Sequence, residues 1–395
     1  MEKSSELQTG PCVHICERRQ NTLNNLLKES AQKGHIINLK KWIKAGADID
    51  ASNNDKGIIM DFDNLTMDQS LRGLLPSKKS SIKSAPAELL LSASGAYYNS
   101  EGRKVFTPLQ CALLGKQTKS HYEVVEFLLK KGASPNSECN STYKGRVIKF
   151  TPAFHAVLAG NIGMLKLLTT YGADLNFKNY IDMDEGLLYH AIQEKQFEIV
   201  EFLLKNGISA KYVNKKNGLT PLHHAVEKGD PKIAKLFLTN GADVNATTFN
   251  DEAPIHSAVL GLNLKMVKLL IEHGANINTL KMFSSYEMSP LPIAVYKNDY
   301  EIVEFLLENG ADVNQRCRSN DEISTTTPLH FACKNGGHNN IAELLMKYGA
   351  EIDAMEEFLP EKESHTEKDK KWTPLHYAAS LGLHLIVRNL LKKGT

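Results

Sequence analysis

Residues 217–246 read NGLTPLHHAVEKGDPKIAKLFLTNGADVNA, and parts of this string recur along the chain. The clearest recurrence is the glycine turn near its end, which is found at Gly46, Gly132, Gly172, Gly207, Gly241, Gly274, Gly310, Gly349 and Gly394. The shortest spacing, from Gly241 to Gly274, is 33 residues, and longer spacings indicate the same unit with inserted residues. This period is typical of a repeat architecture, in which one body can take up all 395 residues.

Each unit carries the start and stop signals of two short helices. Thr220 is placed to cap a helix with its hydroxyl, and Pro221 occupies the first helical position, where its missing N–H costs nothing. Gly229 can end this helix in the left-handed conformation. Asp230-Pro231 repeats the start signal, and Gly241 ends the second helix. The sequence therefore predicts two antiparallel helices in each unit.

These helices are too short to be stable alone in water, so they need neighbours. Their apolar positions form stripes that only adjacent copies can cover, which makes stacking obligatory. In the quoted unit the apolar residues are Leu222, Ala225, Ile233, Leu236, Phe237 and Leu238. A small residue recurs at one position of the first helix, at Ala112, Ala156, Ala191, Ala225, Ala258, Ala294, Ala332 and Ala378. This recurrence predicts close approach of neighbouring first helices.

The pattern TPLH-x-A, Gly, Leu-Leu, GADVN resembles the ankyrin repeat, over about residues 21–50 and 105–395. TPLH is intact at Thr220, Thr327 and Thr373. Copies match in register at 107–136, 151–176, 186–214, 220–246, 253–279, 289–315, 327–354 and 373–395. The resemblance implies an all-α fold, a right-handed curved solenoid of stacked helix-turn-helix units with hairpin fingers and a concave groove.

The resemblance also divides the chain. Residues 1–20 form an N-terminal lead, 21–50 an N-terminal ankyrin-like repeat, and 105–395 about eight repeats with the last truncated. Residues 51–104 break the register and form either an irregular insertion or a degenerate repeat.

Three units depart from the family pattern and are expected to be locally weaker. Gly186 and Leu187 replace the capping Thr and the Pro in one unit, and Ala253 replaces the Thr in another. Pro292 replaces the usual His in SPLP, within the first turn, where a missing donor is tolerable.

The motif histidines, His223, His256, His330 and His376, could suggest catalysis. The resemblance implies that this His braces the turn between units by hydrogen bonding. No Cys, Ser or carboxylate accompanies it in a nucleophile arrangement, so we predict that the protein is not an enzyme and has no catalytic residues. Cys12, His14 and Cys16 match no zinc pattern. No metal or cofactor is predicted.

Function in a repeat protein is expected where the copies differ. The resemblance implies that the fingers and the exposed face of the first helices line the groove. Large apolar side chains at these positions are typical of interface hot spots. The predicted protein-binding residues are Phe150, Leu158, Phe249, Leu260, Tyr286, Met288, Tyr296 and Trp372. The alternative is that some of them fold back under their own long fingers.

The inserted residues favour the same face. Extra residues lie between GAD and TPLH at 137–150, 178–185, 279–287, 315–326 and 355–371. Insertions that gather on one face of a repeat protein often mark its binding face.

Composition narrows the class of partner. A net charge of +2 does not provide the broad basic surface that phosphate backbones require, so nucleic acid is not expected. No run of 18 or more apolar residues offers a membrane span, and the N-terminal residues show no secretory signal. The expected location is the cytoplasm, of its own cell or of a host cell.

The main functional prediction is a non-catalytic scaffold that binds one partner protein in its groove. A second reading is a substrate-recruiting ankyrin region of a larger enzyme or channel, since the sequence ends at KKGT inside a turn motif. A third reading is a microbial effector that binds a host protein. Of the 47 basic residues 39 are lysine, a bias typical of AT-rich genomes such as those of intracellular microbes.

Overall fold

The structure of the chain is a computed structural model. It describes residues 11–50, 106–115, 118–143, 146–179, 185–319, 324–334, 339–358 and 371–393. The chain divides into two compact units, Met1–Ile208 and Ser209–Thr395. The predicted insertion or degenerate repeat at 51–104 lies outside the described residues, as do residues 359–370 of the predicted insertion at 355–371.

The first unit contains helix pairs that stack side by side. Its helices are α1 (Pro11–Gln32), α2 (Ile36–Lys44), α3 (Pro108–Leu113), α4 (Lys119–Lys130), α5 (Pro152–Leu158), α6 (Ile162–Thr170), α7 (Leu187–Gln193) and α8 (Phe197–Lys205). Helix α3 packs on α5, and α5 on α7. Helix α1 packs directly against α3, so the pair before residue 51 and the pair after residue 105 are neighbours in space.

The second unit repeats this arrangement five times. Its helices are α9 (Pro221–Glu227), α10 (Pro231–Thr239), α11 (Pro254–Leu260), α12 (Leu264–Glu272), α13 (Pro290–Tyr296), α14 (Tyr300–Glu308), α15 (Pro328–Lys334), α16 (Asn339–Lys347), α17 (Pro374–Ser380) and α18 (His384–Lys393). The first helices α9, α11, α13, α15 and α17 pack in sequence, and so do the second helices α10, α12, α14, α16 and α18. The predicted all-α fold of stacked helix-turn-helix units is confirmed.

The predicted capping signals shape the unit at 220. The Thr220 hydroxyl accepts a hydrogen bond from the backbone N–H of His223, and Pro221 opens α9. Gly229 follows this helix with φ of 67°, a conformation that favours glycine. The Asp230 carboxylate accepts from the backbone N–H of Lys232 at 2.9 Å and so begins α10.

The recurring alanine lies where first helices meet. All eight alanines at this position are buried, from Ala112 to Ala378. A methyl group there lets neighbouring first helices approach closely, and a larger side chain would force them apart. The prediction of close approach is therefore confirmed.

The inserted residues form β-hairpin fingers in front of the first helices. In the first unit β1 (Cys139–Tyr143) pairs with β2 (Arg146–Phe150), and β3 (Lys178–Asn179) pairs with β4 (Glu185–Gly186). In the second unit one antiparallel sheet runs through β5 (Lys281–Phe283), β6 (Tyr286–Met288), β7 (Cys317–Ser319), β8 (Ser324–Thr326) and β9 (Glu357–Phe358). The register places Met282 beside Glu287, Glu287 beside Arg318, and Thr325 between Arg318 and Glu357. Sequence reasoning predicted the separate fingers but not their joining into one sheet.

Three motif histidines, His223, His256 and His330, connect their repeats to the next finger. His256 Nδ1 accepts from the Ala253 backbone N–H at 3.1 Å, and its Nε2 lies 3.0 Å from the Thr279 carbonyl oxygen. Because a backbone N–H can only donate, Nδ1 is the acceptor and the proton resides on Nε2. His223 contacts the Glu252 carbonyl and His330 the Trp372 carbonyl in the same way. The bracing role implied by the family resemblance is thus observed.

Asparagines form a second link between repeats, which sequence reasoning missed. Asn245 Nδ2 donates to the Gly274 carbonyl, and its Oδ1 accepts from the Asn276 backbone N–H at 2.7 Å. The same pair of bonds is made by Asn136, Asn278 and Asn314. The signal was present as the recurring Asn that follows GAD and an aliphatic residue.

Where residues depart from the motif, capping and bracing hydrogen bonds are missing. Ala253 and Gly186 provide no side-chain cap to their helices. Within the described residues the Ser289 hydroxyl is buried without a hydrogen-bond partner, and Pro292 stands where a bracing His would be. Burying an unpaired hydroxyl is costly, so this unit lacks stabilisation that its neighbours have.

Candidate protein-binding surface

Three of the eight predicted binding residues are buried, which corrects the expectation that they face a partner. Phe150 is 1% exposed, Met288 is 0% exposed, and Leu158 is also buried. The Phe150 ring lies against Phe154 at 5.1 Å and His155 at 5.3 Å. Phe150 and Met288 lie on strands of long fingers and fold back against the protein, the alternative that the sequence left open, whereas Leu158 ends α5. These three residues are not part of a surface that a partner can reach.

Three more predicted residues are half-buried. Tyr286 packs edge-on against Phe331 of the next repeat, with ring centroids 5.2 Å apart. Trp372 packs against Tyr377, with centroids 4.8 Å apart. Leu260 ends α11 and is also half-buried. Each side chain keeps part of its surface open to solvent while its neighbours hold it in place.

The remaining two predicted residues are exposed. Phe249 is 66% exposed and lies on a tight finger that is closed by the hydrogen bond from the Thr248 N–H to the Glu252 carbonyl, 3.0 Å long. Tyr296 ends α13 and is 39% exposed. An exposed phenylalanine on a constrained turn is costly in water and favourable in an interface.

Two further aromatic residues, Phe283 and Tyr377, lie beside the predicted binding residues, and the sequence analysis did not predict them. Phe283 contacts Tyr296 edge-on at 5.5 Å, and Tyr377 contacts Trp372. The signal for Phe283 was the alternation along β5, where residues two apart share a face. We define the aromatic surface of the second unit as Phe249, Phe283, Tyr286, Tyr296, Trp372 and Tyr377.

An ion pair fixes the finger that carries Phe249 to the sheet. Lys281 is buried, and its Nζ lies 2.8 Å from Glu252 Oε2. The other carboxylate oxygen of Glu252 accepts from the Ser257 hydroxyl at 2.6 Å. Both bonds keep the pKa of Glu252 below its ordinary value, against the opposing effect of burial. The carboxylate therefore stays charged and joins three neighbouring segments of the surface.

The groups that most often carry catalysis have structural roles here. In His223, His256 and His330 both ring nitrogens are hydrogen-bonded, Nδ1 to the first residue of its own motif and Nε2 to the next repeat. Burial raises the pKa of the Cys111 and Cys333 thiols to about 12, so neither is a ready nucleophile. Among the described residues no group of three or more His, Cys, Asp or Glu could hold a metal ion.

Stacked helix pairs with fingers, braced by histidine and asparagine, define a repeat protein with large contact faces. A family model for ankyrin repeats matches residues 153–248, 246–317 and 316–395, and a model for the single repeat matches 106–140. The chain belongs to the ankyrin-repeat family. Repeats of this family generally mediate protein–protein interaction and are typically non-catalytic.

The curated relatives come from unrelated sources. The chain is 32% identical over 120 residues to the ankyrin repeat protein FPV223 of fowlpox virus (strain NVSL), which covers 30% of this chain and 76% of that protein. It is 30% identical over 148 residues to alpha-latrocrustotoxin-Lt1a of Latrodectus tredecimguttatus, covering 35% of this chain but 10% of the toxin. It is 30% identical over 146 residues to the B-cell lymphoma 3 protein homolog of Mus musculus, covering 36% of this chain and 30% of that protein.

A solved structure of an ankyrin repeat domain also resembles the chain. The crystal structure of the ankyrin repeat domain of Bcl-3 matches with a TM-score of 0.48 and 25% identity, over 62% of this chain and 98% of that one. Of the helices in the described ranges, none has the length and apolar character needed to cross a bilayer.

Proposed function

We propose that this protein is a non-catalytic scaffold that binds a partner protein through the fingers and first helices of its second unit. The observation that carries the proposal is the aromatic surface, in which partly exposed rings come from the repeats that begin at 253, 289 and 373. Aromatic side chains supply much of the affinity of protein interfaces, because they bury a large apolar area with few rotatable bonds.

The rigidity of these side chains supports the same proposal. Tyr286 and Trp372 are held by ring contacts with Phe331 and Tyr377, and Tyr296 is held by Phe283. A side chain that is already ordered loses little rotamer freedom on binding, so more of its buried area contributes to affinity. In the part of the chain that the structure describes, the motif histidines are hydrogen-bonded and the buried thiols are protonated, which favours a binding role over catalysis by these groups.

A second candidate is a role directed at a host cell, in which the partner is a host protein. The observation that favours it is the similarity to two fowlpox virus ankyrin repeat proteins, one of which is matched over 76% of its length. This candidate differs from the first only in the origin of the partner protein, and the binding surface would be the same.

Two tyrosines provide a matched test of the binding face. Tyr296 is 39% exposed on the finger side, and Tyr300 is 41% exposed at the start of the second helix α14. We expect Tyr296→Ala, and separately Phe249→Ala, to weaken binding about tenfold, as for an aromatic hot spot. Tyr300→Ala should change binding less than about twofold, since exposed residues outside an interface have little effect.

The measurement begins with affinity capture on the intact chain, followed by purification of the captured protein. Its dissociation constant is then measured against wild type and the three single variants. Circular dichroism of each variant checks that the fold persists. Equal loss of affinity for Tyr296→Ala and Tyr300→Ala, or no loss for any variant, would show that the partner binds elsewhere.

A further inference from the structure

Two lysines lie on rings of the aromatic surface. Lys297 Nζ is 5.8 Å from the centroid of Phe283, and Lys334 Nζ is 5.4 Å from that of Tyr377. Both lysines are exposed, and neither forms a salt bridge within the described residues. A ring face attracts an ammonium group and restrains its position without neutralising its charge. Each lysine is therefore a positioned cation that can still accept an anionic partner.

Two carboxylates of this surface, Glu356 and Glu252, already have side-chain partners. Glu356 is buried and accepts a hydrogen bond of 2.6 Å from the Tyr377 hydroxyl. Burial, together with this bond, raises the pKa of Tyr377, so the hydroxyl stays protonated and continues to occupy Glu356. Glu252 is bound to Lys281 and Ser257, and Glu287 lies opposite Arg318 in the sheet. Among the described residues no carboxylate forms a salt bridge with Lys297 or Lys334.

The distance between the two cations limits the shape of what can bind them. Lys297 directly follows α13 and Lys334 ends α15, and these two helices pack side by side. The axes of packed helices are about 8–10 Å apart. An extended chain in the polyproline II conformation advances about 3.1 Å per residue with three residues per turn, so side chains three residues apart lie on the same side, about 9 Å apart. Two carboxylates at that spacing in an extended segment can reach both lysines.

We propose that the partner segment on the aromatic surface is extended and acidic. It places two carboxylates, about three residues apart, on Lys297 and Lys334, and its apolar side chains on the rings around them. This inference rests on the proposed function and specifies the chemistry of the partner. Apolar contact with the rings displaces water around the lysines, and in that lower dielectric each carboxylate–ammonium pair becomes stronger than it is in water.

Peptide selection on the intact chain tests the proposal directly, because it does not require the natural partner. The probe is a phage library of random 12-residue peptides, with unbound phage removed and the retained sequences read. We expect retained peptides to carry Asp or Glu at two positions three apart with apolar residues between or beside them. The most frequent peptide and a version with both acids changed to amides are then synthesised, and their affinities are measured by fluorescence anisotropy.

Matched variants identify where the peptide binds. Combining Lys297→Ala with Lys334→Ala should weaken the acidic peptide at least tenfold, and the amide version should lose a similar factor on wild type. The control combines Lys265→Ala with Lys268→Ala, two exposed lysines on the second helix α12, and should leave affinity unchanged. Circular dichroism confirms that each variant is folded.

The outcomes separate this inference from the proposed function. One contrary result is a set of peptides that need Phe249 and Tyr296 for binding and yet carry no acidic pattern, and another is peptides that bind the Lys297/Lys334 variant as tightly as wild type. Either result would contradict the proposal of an acidic segment and would leave the proposed aromatic binding surface standing. Peptides indifferent to all four residues would overturn both. Retention of basic peptides, or of none, would also contradict the acidic segment.

Discussion

Replacing His256 and His330 together by glutamine is expected to reduce the acid sensitivity of the second unit substantially. Burial lowers the pKa of both histidines to about 4, from an ordinary value of 6.5. The geometry explains why these pKa values are lowered. Nδ1 of each ring accepts a hydrogen bond from a backbone N–H and has no room for a proton of its own. Near His256, Lys281 further opposes protonation, while Glu252 and the Thr279 carbonyl favour it.

The sign of the effect follows from where the proton binds. Between pH 6.5 and 4 the unfolded chain takes up a proton on each histidine and the folded chain does not, so acid favours unfolding. Stability is fully present above pH 6.5 and decreases as the pH falls towards 4. With these two pKa values, each histidine costs about 2 kcal/mol of folding free energy at pH 5. The two histidines together therefore account for a loss of about 4 kcal/mol of folding free energy at pH 5.

Glutamine is a matched replacement because the chain already uses it at this position. In the repeat that begins at Thr107, Gln110 Oε1 accepts from the Thr107 N–H at 3.0 Å, and its Nε2 donates to the Ser137 carbonyl at 2.9 Å. An amide makes both bonds of the histidine but does not titrate. We therefore expect the stability of the variant at pH 8 to stay within about 1 kcal/mol of the wild-type value.

Urea unfolding of the intact chain at pH 8 and pH 5 measures this difference. Trp372 reports on the second unit once Trp42, the other tryptophan of the chain, is changed to Phe. The variant should lose much less stability than its parent on going from pH 8 to pH 5, and His223 accounts for part of what is still lost. An unchanged pH dependence would show that these histidines are not neutral braces in the folded protein.

The second large effect is expected from Ala258→Leu, which places a bulky side chain between first helices. Ala258 is fully buried in α11, which packs between α9 and α13. The added atoms must separate helices that are too short to be stable apart. Overpacking of this kind costs about 1–3 kcal/mol, and we expect the upper end because two helix contacts are disturbed.

Ala379→Leu is the control for this substitution. Ala379 lies in the first helix α17 but is exposed, so the same change adds no buried volume. Thermal unfolding should show a clear decrease in midpoint for Ala258→Leu and almost none for Ala379→Leu. Similar midpoints for both variants would contradict the argument that close contact of the first helices holds the repeats together.

Much of the fold could be predicted because its local signals are strong and agree with one another. Thr220-Pro221 and Asp230-Pro231 fix where the two helices begin, and Gly229 and Gly241 adopt the left-handed conformation that ends them. The apolar stripes then require neighbours, so local structure and stacking follow from the same residues. The small residue at Ala225 and its equivalents identifies the contact face.

The binding surface was harder to predict, because it depends on how the inserted fingers fold. Phe150, Met288 and Phe249 are all apolar residues of the inserted fingers, yet the first two are buried and Phe249 is exposed. The difference is strand pairing, since a long hairpin covers its own alternate side chains and a tight turn does not. Pairing between fingers of different repeats depends on contacts that are distant in sequence, which local patterns do not encode.

Hydrogen–deuterium exchange of the intact chain, with and without its captured partner, tests the central claim most directly. Binding at the aromatic surface predicts slower exchange at the fingers 248–252 and 281–288 and at residues 371–377. The second helices α10, α12 and α14 should exchange as they do in the free protein. Protection confined to those second helices, with the fingers unchanged, would contradict the account.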